Sequence, residues 1–199
     1  MNYLWLQLAA FCGTFLYSSL FEWTLHRFFM HQVTFGIVYP FRAHAQVHHQ
    51  VFKSDYTYHL QPGVNPKLIT FAKWNYPFLL ALNSPIIVAL EMSGLRVTLG
   101  IVLGMSSYYF LYEYLHYAMH RPTGRFFESW KVFKFIDHHH LIHHKYMHRN
   151  LNVVLPLVDT VLGTLMLKTK VPIEAGEPML APDEVNPDKG ISGLVSASD

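Results

Sequence analysis

Apolar residues fill the chain from Tyr3 to Phe21, 19 positions without an Asp, Glu, Lys or Arg. A helix of that length reaches about 28 Å, close to the thickness of a bilayer's hydrocarbon core. No Lys or Arg precedes the segment and no small-x-small site follows it, which argues for a span rather than a secretory leader. A second apolar run, Tyr76 to Met92, is interrupted only by Asn83, Ser84 and Glu91 among polar residues and holds Pro77 and Pro85, so a kinked span is expected. Ser93 and Gly94 then separate it from a third run, Leu95 to Leu115, and the pair reads as a tight helical hairpin. Val153 to Leu167 is apolar but short and carries Pro156 and Asp159, which suits an interfacial or re-entrant helix. The pattern therefore predicts an all-α membrane bundle of about three spans, with a helical cap built from the long polar loops.

Charge gives this bundle a direction. Only Arg96 lies at the hairpin tip, and the other Lys and Arg residues fall in the two large loops or the tail. By the positive-inside rule both loops face the cytoplasm and the amino end lies outside. From Val171 onward the composition changes: Glu174, Glu177, Asp183, Glu184, Asp188 and Asp199 stand against Lys189 alone, among Pro172, Pro178, Pro182 and Pro187. Residues 171–199 read as a solvated, irregular acidic tail, leaving 1–170 as the membrane-embedded unit.

Composition sharpens the picture. Hydrophobic residues make up 51% of the chain and charged residues 14%, against about 25% charged in an ordinary soluble domain. A formal charge of +2 with no basic run excludes nucleic acid as an expected partner. Cys12, alone, makes neither an intramolecular disulfide nor a thiolate cage. Histidine is the anomaly, with 14 residues against 15 Lys and Arg together.

All the histidines fall in two blocks, His26–His59 and His116–His148, in the loops assigned to one membrane face. Their spacing is helical. His26 and His31 form His-x4-His; His44, His48 and His49 form His-x3-His-His; His116 and His120 form His-x3-His; His140, His143 and His144 form His-x2-His-His, with His139 offering an alternative register. Residues three or four apart share a helix face and converge on one ion, while an adjacent histidine points about 100° away, towards a second. Ten imidazoles suit two ions of four to six ligands each, and imidazole accepts iron, zinc, copper or nickel. A metal-buffering loop would explain His138–His148 but not His26, His31, His116 and His120, which extend from span ends. A bis-histidine haem would need ligands inside the membrane, where none lie. Glu22 and Glu113 precede His26 and His116 by about one turn. There each is placed either to accept the imidazole's other N–H or simply to cap the span at the interface.

The four boxes, HRFFMH (26–31), HAQVHH (44–49), HYAMH (116–120) and HLIHH (140–144), together resemble the fatty acid hydroxylase/sterol desaturase superfamily of integral-membrane di-metal oxygenases. The likeness covers about residues 20–165. It extends to Asn150 and Asn152, Val158-Asp159 and Leu162-Gly163-Thr164, a variant of a stretch often found after the last box. Box two has three residues between its histidines where many members have two, and one span precedes box one where larger relatives have two. The resemblance implies a non-haem di-iron centre and a monooxygenase activity in lipid metabolism, hydroxylating or desaturating a lipid or other hydrophobic substrate with dioxygen. Its catalytic and metal-binding residues would be the ten box histidines. No haem or flavin domain is fused to this sequence, so electrons are expected from a separate ferredoxin, cytochrome or reductase. Arg121, Arg125, Lys131 and Lys134 either dock such a donor or simply carry the positive-inside signal.

Outside the boxes, His148 is a candidate supplementary ligand and His59, beside Tyr56 and Tyr58, a candidate pocket or capping group. Tyr108-Tyr109-Phe110 and Tyr112 read as helix packing or interfacial anchoring rather than a substrate groove, and Met105 and Met119 as core. Two rivals use the same clusters differently: a membrane protein that transports or stores zinc, and a structural membrane protein. Zinc in purified material would also fit an iron enzyme whose metal had exchanged.

Overall fold

The computed structural model describes residues 3–169, and the acidic tail expected over 171–199 lies outside them. The described residues are helical, with no strand beyond one isolated bridge between Thr34 and Ile37. Three long helices correspond to the three apolar runs: α1 (Tyr3–Leu25), α4 (Asn75–Met92) and α5 (Thr98–His120). Between α1 and α4 lie two short helices, α2 (Tyr39–Phe41) and α3 (His49–Val51). α6 (Lys131–Lys145) and the five-residue α7 (Leu157–Val161) complete the cap. Two segments are π-helical. His26–Met30 continues α1, and Arg42–His48 joins α2 to α3.

One helix among the described residues, Tyr3–Met30, is both long and apolar enough to cross a membrane. Its packing is inverted relative to a water-soluble helix. The residues of α1 that face inward include Gln7, Thr14, Ser18 and Ser19, whereas Leu4, Trp5, Leu8, Leu16 and Leu20 are exposed. α4 repeats this, burying Asn83 while exposing Phe78, Leu82, Ile86 and Val88, and α5 turns Gly100 and Gly104 inward and Leu99, Leu103 and Phe110 outward. Small and polar residues between helices, with apolar residues outside, are the pattern expected where lipid surrounds the bundle.

α1 and α5 meet closely because of two glycines. A Cβ on Gly100 would stand 2.3 Å from the Gln7 carbonyl oxygen, and one on Gly104 2.8 Å from that of Phe11. Gln7 also spans the junction, accepting from the Gly100 N–H (2.7 Å) and donating to Arg96 O (2.5 Å). Gly100→Ala therefore pushes the helices apart, and a loss of about 1–3 kcal/mol is expected by overpacking. Thermal unfolding in detergent reads it, and an unchanged midpoint would show that the contact is slack.

The hairpin forms as expected. Gly94 takes φ +82° at the turn, and Arg96 a left-handed φ of +49°. Pro85 sits inside α4 without ending it. The segment 153–167 differs from expectation, because only α7 is helical there. Pro156 opens α7 and Gly163, at φ +68°, follows it, while backbone N–H groups of the chain on either side turn to Asp159 instead of continuing a helix. The cap is anchored on a buried cluster of Tyr58, Phe133, Ile136, Leu141 and Val153 with Tyr112, Ala118 and Met119 of α5.

Candidate metal centre

All ten box histidines are buried, and they gather into two groups of five. The first comprises His26, His31, His44, His49 and His143; the second comprises His48, His116, His120, His140 and His144. Within each group the candidate ligand nitrogens all lie within 4.8 Å of one another. The two groups adjoin: the His49 ring stacks on His144 (centroids 4.2 Å apart), and His140 lies 5.7 Å from His143.

Backbone geometry decides the partition. In α5 and α6, true α-helices, His116 and His120, and His140 and His144, are four apart and share the second group, while His143 points to the first. In a π-helix the hydrogen bond runs from residue i to i+5, so residues five apart share a face. His31 N donates to His26 O at the end of one π-segment, and His49 N to His44 O at the end of the other. Hence His26 pairs with His31 and His44 with His49, and His48 leaves for the second group. The expectation that His44 and His48 share an ion is corrected by this winding.

Five of the ten rings are oriented by a bond to a backbone carbonyl, which can only accept. Nδ1 of His26 donates to Leu151 O (2.5 Å), that of His48 to Leu68 O (3.0 Å) and that of His120 to Tyr58 O (2.7 Å). Nδ1 of His143 donates to Arg149 O (2.9 Å) and that of His144 to Phe52 O (2.5 Å). Each such bond puts the proton on Nδ1 and leaves a lone pair on Nε2, pointing into the group. Glu22 and Glu113 do not serve the imidazoles. Glu22 accepts from Tyr108 Oη (2.5 Å), Asn152 Nδ2 (3.2 Å) and Val153 N (2.6 Å), and Glu113 from Phe71 N (3.3 Å). Glu22 thus holds the loop 149–153 that carries two of the accepting carbonyls.

The donor set fits metal ions. Nε2 atoms approach each other at 2.8 Å (His26 and His44), 3.1 Å (His31 and His143; His44 and His49) and 3.2 Å (His49 and His143) in the first group. In the second, His140 Nε2 lies 3.2 Å from that of His120 and 3.1 Å from that of His144. Nε2 of His48 and of His116 are buried without a hydrogen-bond partner. With the Nδ1 protons placed as above, the Nε2 lone pairs of His26 and His143 point into the first group and those of His48, His120 and His144 into the second, where a cation would accept them. Two nitrogens each about 2.1 Å from an ion lie about 3.0 Å apart at a right angle and about 3.4 Å apart in a tetrahedron. The observed separations lie in the range that nitrogens sharing one ion would take. Burial first, then neighbouring imidazoles, hold His44, His49, His140, His143 and His144 well below the ordinary imidazole value. Burial likewise takes His48 down to about 4, and burial with His143 takes His31 to about 2. At neutral pH these rings are uncharged, as ligands must be.

No family model, curated protein or solved structure matches this chain.

A cavity of about 460 Å³ opens beside the centre. His26 and His44 of the first group and His48 and His116 of the second are among its lining residues. Tyr39, Trp74 and Phe78 line it too and are exposed, so it opens to the outside between the 37–40 segment and the start of α4. Tyr108, Tyr109, Tyr112 and Met105 line it along α5, so the reading of these tyrosines as packing or anchoring alone is corrected. A separate cleft of about 500 Å³, bordered by His31, Gln46, Gln50 and His148, reaches the first group only. His148 itself is exposed and belongs to neither group.

Of the remaining histidines, His138 is exposed, His59 is buried against the Tyr58 ring, and His139 turns away from both groups towards Asp159 Oδ2 at 3.5 Å. Asp159, expected from the sequence only as an interruption of an apolar segment and as part of the stretch after the last box, is buried and accepts from Leu151 N (2.9 Å), Asn152 N (2.8 Å) and the Thr164 hydroxyl (2.6 Å). Burial alone would raise its carboxyl, but the bonds from His139, Thr164, Asn152 and Leu151 outweigh burial and hold it below its ordinary value. An acid inside an apolar segment was the available signal. Asp137 plays a related part, accepting from Tyr58 Oη (2.9 Å) while Tyr58 O orients His120. Arg125 is engaged by Glu128 and by Arg121 O, which leaves Lys131 and Lys134 as exposed basic groups of the cap.

Proposed function

We propose that this protein is a membrane-bound non-haem di-iron oxygenase that hydroxylates or desaturates a lipid or similar hydrophobic substrate, drawing on dioxygen and an external electron donor. The observation that carries the reading is that both five-imidazole groups contribute to the wall of one apolar cavity that also reaches exposed residues. Histidines 26, 31, 44, 49 and 143 would hold one ion and histidines 48, 116, 120, 140 and 144 the other. A pair of redox-active ions supplies the electrons and oxidising power needed to activate dioxygen and break an unactivated C–H bond. The backbone carbonyls fix the imidazole tautomers, the apolar walls keep water from the reacting end, and the lateral mouth admits a molecule dissolved in lipid.

The resemblance of the four boxes to the fatty acid hydroxylase/sterol desaturase superfamily supports the same assignment. The inverted packing of α1, α4 and α5 supports three spans, and the distribution of Lys and Arg supports a cytoplasmic centre with the amino end outside. Storage or transport of zinc is the second reading. It is disfavoured by five donors in each group, where structural zinc takes four, and by a cavity such a protein does not need.

The test is metal content followed by turnover. Protein purified anaerobically from iron-supplemented cells is expected to hold about two irons per chain, and to yield oxygenated or desaturated product when given reductant, dioxygen and a lipid extract. Iron-loaded protein that yields no product with any donor would overturn the oxygenase reading. Stable binding of two zincs that iron cannot replace would support the rival.

A further inference from the structure

Between the first two histidine boxes the chain makes a tight turn whose apolar side chains face outward. Ile37 N donates to Thr34 O (3.0 Å) across Phe35 and Gly36, which take φ +51° and +74°. Two left-handed residues in succession suit Asn-Gly, and a phenylalanine in the first place is conformationally unfavourable. Packing does not compensate, because Phe35 is 91% exposed. Val33, Ile37, Val38 and Tyr39 are exposed too, and from Phe28 to Phe41 there is no Asp, Glu, Lys or Arg. Another exposed aromatic pair of the cap, Phe126 and Trp130, sits in sequence among Arg125, Glu128 and Lys131 instead. Thr34 Oγ1 donates to Phe28 O and ties the turn to the π-helical end of α1. Tyr39 joins it to α4: its ring lies 5.4 Å from that of Trp74, which lies 5.9 Å from that of Phe78. Phe78 begins the outward face of α4 that continues through Leu82 and Ile86, so the exposed apolar surface of the turn and that of the helix are one.

We propose that the turn 33–39 is inserted in the lipid bilayer on the face that carries the metal centre, with Phe35 among the upper acyl chains and Tyr39 and Trp74 at headgroup level. Its partner is thus a lipid surface. Trp and Tyr are the side chains enriched where hydrocarbon meets headgroup. The exposed Arg42 and Lys73, close in sequence to Tyr39 and Trp74, add the positive charge that anionic headgroups attract. This rests on the reading above in taking α4 as a span. Ile37, Tyr39 and Pro40 line the cavity together with Trp74 and Phe78. The inserted turn is therefore one lip of the cavity's mouth, and the bilayer it enters is the phase from which a hydrophobic molecule passes inward.

The experiment uses the full chain in nanodiscs of phosphatidylcholine and phosphatidylglycerol. In a Cys12→Ser background, a polarity-sensitive fluorophore is attached in turn at Phe35→Cys, at Phe78→Cys on the outward face of α4, and at Lys131→Cys on the exposed cap. The label at Phe35 is expected to shift its emission to the blue and to lose it to lipids carrying a nitroxide near the top of the acyl chain, as the label at Phe78 does. Aqueous iodide should quench the label at Lys131 and leave that at Phe35 untouched. Val33→Cys, on the same turn, repeats the measurement should Phe35→Cys fail to fold. Lipid quenching at Phe78 with iodide access at Phe35 sinks this proposal alone and leaves the span standing. Protection of Phe35 from both quenchers, the sign of a second copy or another protein over the turn, overturns it as well. Iodide access at both positions removes the membrane reading and this proposal with it. Lipid quenching at Phe35 in a protein that oxidises nothing supports the insertion and sinks the oxygenase reading alone.

Discussion

Replacing His143 by alanine is expected to remove one metal of two, and replacing its neighbour His144 to remove the other. His143 stands in the first group, 3.1 Å from His31 Nε2 and 3.2 Å from His49 Nε2, and His144 stands in the second, 3.1 Å from His140 Nε2. Loss of a partner that only orients a ligand weakens metal binding about 10–100-fold, so loss of a ligand itself should exceed that and leave the site unfilled after dialysis. His48→Ala and His49→Ala form a second such pair, emptying the second and first groups respectively. All four variants should lose oxidation of substrate completely, because the proposed chemistry needs both ions. The measurement is metal per chain, with cobalt substitution to tell the two environments apart by their absorption. If His143→Ala and His144→Ala lose the same site, the partition is wrong.

Asp159→Asn is expected to lower stability by about 3 kcal/mol, since an amide turns an N–H against a backbone N–H where the carboxylate accepted, and each buried donor left unpaired costs about 1–3 kcal/mol. For a chain of this size that is a fall of roughly 10 °C in the unfolding midpoint. The local effect is more telling. Asp159 fixes the N–H groups of Leu151 and Asn152, and the Leu151 carbonyl orients His26. The first group should therefore lose metal affinity about 10–100-fold while the second keeps its ion. Equal loss from both groups would mean that the substitution merely loosens the fold, and loss from neither would remove Asp159 from the centre.

The identity of the ten candidate ligands was legible in the sequence because clusters at helical spacing survive any reasonable folding of the loops. Their division between two groups was not. It depends on two stretches winding as π-helix, and nothing in HRFFMH or HAQVHH marks that winding beforehand. The carboxylates misled for a related reason. Glu22 is one turn before His26 in sequence, but the ring turns to a carbonyl on the loop 149–153, from the far end of the chain, and Glu22 takes that loop's N–H groups instead. The apolar runs foretold the three long helices, and their faces became readable only in three dimensions, where Tyr108 and Tyr112 turn from packing residues into a cavity wall. Asp159 had no local partner to announce it, since a buried acid explains itself only through the backbone it holds.

On the proposed reading, neighbours in sequence would face different ions, and each ion would act as a cross-link. The first group joins residues 26–31, 44–49 and 143, and the second joins 48, 116–120 and 140–144, so the two closures interlock at His48-His49 and again at His143-His144. Neither can be drawn tight without positioning the backbone of the other. On the proposed reading the three long helices can insert and pair through Gly100 and Gly104 first, and the cap locks last, when both ions arrive. A chain that has taken up one ion would then hold the backbone of its second set of imidazoles nearer to its place, while the second ion would still be bound by its own five rings.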